Sequence, residues 1–444
     1  MGSSSAAQAL LAGEIHLVKT LHLTNAFHPT SGGISTFYRA LFATANQMGR
    51  PMHLVVPAAE TRTERVGEYV QIHHVQGPAS PVFDQRYRIL PPTSYLPPWH
   101  GAIQRILERE QPDLVEVCDK YTISWLAGLL RRGWIQGVRR PVLVGLTCER
   151  MDDNLGAYLT RHPWSQTVAR RYLGHLYLPL FDYHIANSEY TAAELREAML
   201  ADHQRPVEVL PMGAEIGEFL GASPSSTARQ ALRKEVGGTD RTRLLLYAGR
   251  LSPEKNIPLL PDLLEALAGK GLEDYRLLVA GSGPLAGWLG EEAERRAPGK
   301  LVQLGHLTDR RRLIDLYLHC DIFVHPNPRE PFGIAPLEAM AAGLPLLAPR
   351  AGGVLSYAHE GNSWLGEPTG PAFAEGVLTI LRDEMGRKEK LSQARWTAQQ
   401  FGWESVSRQF FASYDRMVDQ FPSTRFAIAA SSLTTREPAR RAEG

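Results

Sequence analysis

The stretch "DIFVHPNPREPFGIAPLEAMAAGLPLLAPR", residues 321–350, reads as one strand–loop–helix–strand unit. "DIFVHP" (321–326) and "LPLLAPR" (344–350) carry the short continuous apolar runs of strands covered on both faces. Pro336 suits the first turn of a helix ending at Gly343, because a helix start leaves unused the N–H that proline lacks. Two neighbouring strands joined through a helix run parallel, by a right-handed crossover. This places Glu330 in the loop and Glu338 in the first helical turn. Gly333 lets a ligand come close to the backbone, and the amides from about Phe332 through Ile334 and Ala335 to Leu337 face out of the helix start, where the dipole favours an anion. Taken alone, the stretch fits equally well a solvated Glu330 and a Glu338 that only complements the dipole.

The same alternation extends outward in both directions. Apolar strands are expected at 17–25, 52–58, 70–75, 112–118, 141–147, 182–188 and 207–213, then at 243–250, 275–281 and 301–307. The helical pattern is clearest in "SGGISTFYRALFATANQMG", where Ile34, Phe37, Tyr38, Leu41, Ala45 and Met48 recur at helical spacing. A stretch rich in small and charged residues, 217–242, interrupts the pattern, so the fold class is α/β with two doubly wound parallel-sheet domains. The expected division is a flexible tail over 1–14, a first domain over 15–220, a second over 221–402, a helix over 403–420 returning to the first domain, and a second tail over 421–444.

Composition narrows the function classes. A chain of 444 residues with 43% hydrophobic and 21% charged residues fits a soluble globular protein, and a net charge of +1 gives no general attraction to nucleic acid. Cys118, Cys148 and Cys320 form no C-x-x-C pair, so neither a disulfide framework nor a zinc site is indicated. The start lacks a basic region followed by an apolar core, and no run of about 18 apolar residues occurs, which points to the cytoplasm.

A second stretch bears on Glu330 and Glu338. In "YAGRLSPEKNIPLL" (247–260) a strand ends at Gly249 and is followed by Arg250 and Lys255, two cations on a short turn above the carboxyl end of the sheet. Ligands of open α/β sheets bind at that edge, and a diphosphate would match two cations facing an anion-accepting helix start. Solvation of each charge is the plainer reading. Gly281 and Gly283 in "LLVAGSGPL" lack the third glycine and the acidic partner of a dinucleotide fingerprint, so a tight turn beside a ligand is enough. Gly32 and Gly33, at a helix start after the first strand, either approach a phosphate from the first domain or form a turn.

Assembled, "FHPTSGG", "VLPMGAEIGEF", "YAGRLSPEKN", "LVAGSGPL", "LGHL" and "EPFGIAPLEAMAAGLPLLA" resemble the retaining glycosyltransferases of family 4, of GT-B fold. The E-x7-E element from Glu330 to Glu338 is the most diagnostic. The resemblance implies two Rossmann-like domains facing across a cleft, a nucleotide-sugar donor held mainly by the second and a hydroxyl acceptor by the first. By analogy Arg250 and Lys255 neutralise the donor diphosphate, and Glu338 accepts hydrogen bonds from the ribose. Glu330, with the amides of Phe332, Gly333, Ile334 and Ala335, holds the sugar, and Gly33 approaches the diphosphate from across the cleft. Many relatives carry a histidine after the strand corresponding to "PVLVGLT", where this chain offers Glu149 or Arg150.

Physical chemistry agrees with these roles. Breaking the anomeric C–O bond leaves negative charge on the diphosphate, which prepositioned cations and helix-start amides stabilise as it develops. The chain contains no D-x-D, so Arg250 and Lys255 are expected in place of a metal, with no cofactor beyond the donor substrate. The expected reaction moves a hexose from a UDP- or GDP-linked donor to a hydroxyl on a saccharide, lipid or small molecule. A sugar-nucleotide epimerase of the same fold and a non-catalytic nucleotide-sugar binding protein are the alternatives. The aromatic and basic stretch 158–181 is expected to pack as core with a solvated basic edge, with weak peripheral contact at the inner face of a membrane as its second reading.

Overall fold

The computed structural model describes residues 17–28, 32–80, 88–96, 100–158, 164–202 and 204–421. Both expected tails fall almost wholly outside these residues.

Two sheets organise the described chain. The first contains β1 (Thr20–Thr24), β2 (Met52–Ala58), β3 (Arg62–Arg65), β4 (Val70–Gln76), β5 (Leu114–Cys118), β6 (Val142–Thr147), β7 (Tyr183–Ala186) and β8 (Val207–Val209), in the order β3-β4-β2-β1-β5-β6-β7-β8. All pairings are parallel except that of β3, which runs antiparallel to β4. The second sheet, wholly parallel, contains β9 (Arg243–Ala248), β10 (Tyr275–Ala280), β11 (Leu301–Gly305), β12 (Ile322–Val324), β13 (Leu346–Pro349) and β14 (Trp364–Gly366), in the order β11-β10-β9-β12-β13-β14. Strands such as Leu244, Leu245 and Leu246 of β9 are buried because helices cover both faces.

Strand order reverses between β1 and β5 in the first sheet and between β9 and β12 in the second. A crevice opens at such a switch point, beyond the carboxyl ends of the two diverging strands. The loops that follow β9 and β12 are those of Arg250–Lys255 and His325–Glu330.

The helix Trp403–Gln420 packs against the first sheet although it follows the second in sequence. The Phe410 ring lies 4.8 Å from that of Phe37, and Arg50 donates to Asp415 at 2.7 Å. The Tyr414 hydroxyl donates to Glu116 at 2.5 Å. Glu116, fully buried on β5, also meets His22 at 2.8 Å and the Tyr38 hydroxyl at 3.2 Å, so its carboxylate is satisfied without water. Burial, and then the Glu116 charge, raises the Tyr414 phenol well above its ordinary range and keeps it a donor.

Candidate active site

The helix after β12 spans Ile334–Ala342, with Gly333 as its N-cap at φ 89°. Pro336 occupies the third helical position, which also needs no N–H, and Glu338 falls in the second turn rather than the first. The left-handed Gly333 makes the sharp entry to the helix, and a side chain there would strain the backbone. The Tyr357 hydroxyl donates to the Gly333 carbonyl, and the Phe332 ring is buried 5.3 Å from that of Tyr357. These contacts fix the helix start, where Ile334 and Ala335 have amides with no partner inside the helix.

Lys255 and Glu330 meet at the switch point. The Lys255 ammonium lies 2.9 and 2.8 Å from the two Glu330 oxygens, and Asn327 donates to the second at 3.2 Å. The sequence reading gave these residues separate substrates, a diphosphate for Lys255 and a sugar for Glu330. The structure pairs them, because the β9 and β12 loops converge where the strand order reverses. Burial would raise the Glu330 carboxyl, but Lys255 and then His325 hold it down at about 2. His325, which the sequence reading passed over, is fully enclosed beside them. Burial, the largest influence, with Lys255 beside it, pushes its imidazole down to about 4, so it is neutral at pH 7.

A prediction follows for Glu330. A carboxylate with a depressed pKa contributes stability that is full above its ordinary value, 4.5, and lost as pH falls toward about 2. In Lys255→Met the ammonium is gone while burial remains, so the Glu330 carboxyl is expected to titrate well above its wild-type value of about 2. Carboxyl NMR of glutamate-labelled protein reads this directly, and an unchanged titration refutes the pairing.

Arg250 differs from Lys255. Its side chain is 71% exposed, with Glu254 the nearest carboxylate at 3.5 Å, and the Tyr247 hydroxyl donates to its carbonyl at 2.8 Å. The expected glycines hold this loop in place. A Cβ on Gly281 would come within 1.8 Å of the Gly249 carbonyl oxygen, and one on Gly283 within 2.3 Å of that of Leu251. Gly281 and Gly283 thus admit the Gly249–Leu251 backbone against the turn after β10, the tight turn that the sequence reading expected there.

Glu338 is buried with partners the sequence reading missed. Arg310 donates to Oε1 at 3.0 Å and the Tyr317 hydroxyl to Oε2 at 3.2 Å. Burial raises the carboxyl despite Arg310, while pairing with Glu338 and Glu218 keeps the guanidinium firmly charged. Arg310 opens the helix Arg310–His319, capped by Asp309, in "TDRRRL", a charge run that reads as a solvated face. Only folding shows that Arg310 turns toward Glu338.

The first domain faces this site through Gly32 and Gly33, the N-cap and first residue of the helix Gly33–Met48. A Cβ on Gly33 would stand 3.5 Å from the Ile334 Cδ1, so the two helix starts oppose each other across the cleft. Arg329 reaches across to Asp153 at 3.8 Å. Glu149 lies two residues beyond β6, half-buried, and its carbonyl accepts from Lys120 at 2.6 Å. Arg150 does not turn to Glu149. It grips Asp152 with bonds of 2.9 and 2.6 Å and stacks 4.7 Å over Tyr190.

Two doubly wound domains, paired helix starts across a cleft and a Lys–Glu pair at the switch point define a GT-B glycosyltransferase. Comparison with known proteins agrees: residues 31–217 match the model described as Glycosyltransferase Family 4, and residues 228–399 that of Glycosyl transferases group 1. The chain belongs to glycosyltransferase family 4 and is an enzyme using nucleotide-sugar donors. It is 28% identical over 403 residues to a GDP-mannose-dependent alpha-(1-6)-phosphatidylinositol dimannoside mannosyltransferase of Mycobacterium tuberculosis, covering 90% of this chain and 97% of the relative. It is 28% identical over 318 residues to a D-inositol 3-phosphate glycosyltransferase of Xylanimonas cellulosilytica, covering 68% and 73%. Among solved structures, sucrose-phosphate synthase from Thermosynechococcus elongatus aligns with a TM-score of 0.68 at 19% identity, over 90% of this chain and 99% of that one. Anabaena HepE in complex with UDP and glucose aligns with a TM-score of 0.64 at 19% identity, over 90% and 100%.

Proposed function

We propose that the enzyme moves a hexose from a nucleoside diphosphate sugar to a hydroxyl acceptor, with retention at the anomeric carbon and without a divalent metal. The observation that carries this reading is the Lys255–Glu330 pair at the switch point, flanked by the exposed Arg250 and the open helix start at Ile334. The anomeric C–O bond breaks with its electron pair passing to the diphosphate. The acceptor oxygen bonds to the same face of the sugar, and its proton goes to the departing phosphate oxygen. Lys255, Arg250 and the helix-start amides stabilise the growing charge. Glu330, kept ionised by Lys255, accepts hydrogen bonds from sugar hydroxyls, and Glu338 from the ribose. The names of the two relatives favour an inositol-bearing or lipid-borne hydroxyl, and the first a GDP-linked hexose, while the HepE complex with UDP and glucose keeps a UDP-linked one in view.

Two measurements test this. After divalent ions are removed, activity is expected to persist in excess EDTA, and activity that returns only with added Mg²⁺ or Mn²⁺ overturns the metal-free mechanism. Proton NMR of the first product formed is expected to show the anomeric configuration of the donor. The opposite configuration overturns retention.

A further inference from the structure

The first domain keeps a face of exposed rings that sugar transfer does not use. Tyr121, Trp125 and Trp134 are 38, 42 and 60% exposed, and with Tyr95, Leu129 and Arg132 they line a groove of about 520 Å³. Tyr121 lies three residues past the carboxyl end of β5, so the groove begins at the sheet edge that bears the cleft. Trp125, Leu129 and Arg132 follow one stripe of the helix Ser124–Arg131 and its cap. Large rings gathered in one exposed patch mark an interaction surface.

Charge identifies the partner. No acidic residue occurs between Asp119 and Glu149, or between Asp153 and Asp182. Some of the intervening cations are already engaged: Arg131 and Arg140 pair with Asp182, and Arg139 with Asp113. Arg132 instead lies 5.4 Å over the Trp134 ring, and Arg170 and Arg171 are exposed. The Tyr172 hydroxyl donates to the Lys120 carbonyl at 2.7 Å, which sets the helix Trp164–Tyr172 against the start of the Trp125 helix. Exposed Val168 and Leu176 extend the apolar surface there. Ala169, Leu173 and Tyr177 turn inward, as the sequence reading expected of this stretch. Asp119, Glu149 and Glu194 stand near Tyr121, at the cleft end of the face. Tryptophan and tyrosine with the guanidinium groups of Arg132, Arg170 and Arg171 suit the interface of an anionic bilayer, where rings settle at headgroup level and arginines meet phosphates.

We propose that this face docks the first domain onto an anionic phospholipid bilayer, with the Tyr121–Trp125–Trp134 groove taking up apolar lipid surface at the mouth of the cleft. Among the described residues no helix is long and apolar enough to cross a membrane, so the contact is peripheral. The inference deepens the acceptor reading by placing the enzyme where a lipid-borne hydroxyl would be presented, and its test uses no acceptor.

The full chain is sedimented with vesicles of phosphatidylcholine alone and of phosphatidylcholine with phosphatidylglycerol, at low and high salt. Binding is expected only to the anionic vesicles and is expected to weaken with salt. Arg170→Gln/Arg171→Gln is expected to reduce partitioning about 30-fold, the scale of two cations at an anionic surface. Trp125→Ala/Trp134→Ala is expected to reduce it at both salt concentrations. Calorimetric binding of UDP and GDP is expected to be unchanged in both variants, which separates failure of docking from failure of the transferase reading. Equal binding to both vesicle types, no binding to either, or a dimer in sedimentation velocity that Trp125→Ala/Trp134→Ala dissociates would each overturn the proposal.

Discussion

Lys255→Ala is expected to lower kcat at saturating donor by about 10²- to 10³-fold, the range for losing one charge-stabilising group at a developing anion. The same substitution leaves a largely buried Glu330 without its counter-ion, which destabilises the fold by about 3 kcal/mol. The loss of rate therefore has two candidate causes, and a second variant separates them. In Lys255→Ala/Glu330→Gln the unpaired charge is gone, so stability is expected to recover while kcat stays well below that of Glu330→Gln alone. Arg250→Ala supplies the complementary case. Its side chain is 71% exposed, so the melting temperature is expected to hold while kcat falls. Wild-type kcat in folded Lys255→Ala would remove the ammonium from the mechanism, and a kcat in the double variant equal to that of Glu330→Gln alone would assign it a structural role only.

The alternation of strands and helices was legible because buried parallel strands need unbroken apolar runs and crossovers need amphipathic helices. Two strands escaped for the converse reason. β3, "RTER", lies exposed at the sheet edge and carries no apolar alternation, and β14 contributes only the three residues Trp364–Gly366. The site was legible as a set of residue types following strand ends. Its pairings were not, since a charge in sequence does not name its partner. Lys255 and Glu330 are 75 positions apart, and Arg310 and Glu338 are 28 apart. Both pairs exist because separate loops converge above the second sheet. Glu338 was assigned to the first turn because a proline tolerated throughout that turn does not fix where it starts, whereas the entry is set by the glycine at positive φ.

Glu338→Ala is expected to weaken binding of the nucleoside diphosphate about 100-fold, the scale of one or two lost hydrogen bonds to a charged group, with or without the sugar attached. Glu330→Ala is expected to spare nucleotide affinity and depress transfer. The Arg310 contact sharpens the first expectation. Arg310 and Tyr317 each occupy one lone pair of the buried Glu338 carboxylate, which leaves acceptor capacity on both oxygens for a cis-diol. Arg310 thus orients the carboxylate and favours its ionised form, against burial that raises it more. In Arg310→Gln the Tyr317 hydroxyl alone of these two partners still opposes the raising influence of burial, so Glu338 protonates at higher pH, and a protonated carboxyl is a poorer acceptor for the diol. Nucleotide affinity in Arg310→Gln is therefore expected to fall as the solution is acidified, beginning at a pH where the wild type still binds fully, and to approach wild-type affinity under alkaline conditions. Calorimetry across pH distinguishes this from a purely steric role. A pH-independent loss in Arg310→Gln would mean that the arginine touches the nucleotide itself, and equal losses in Glu338→Ala and Glu330→Ala would end the division between ribose and sugar carboxylates.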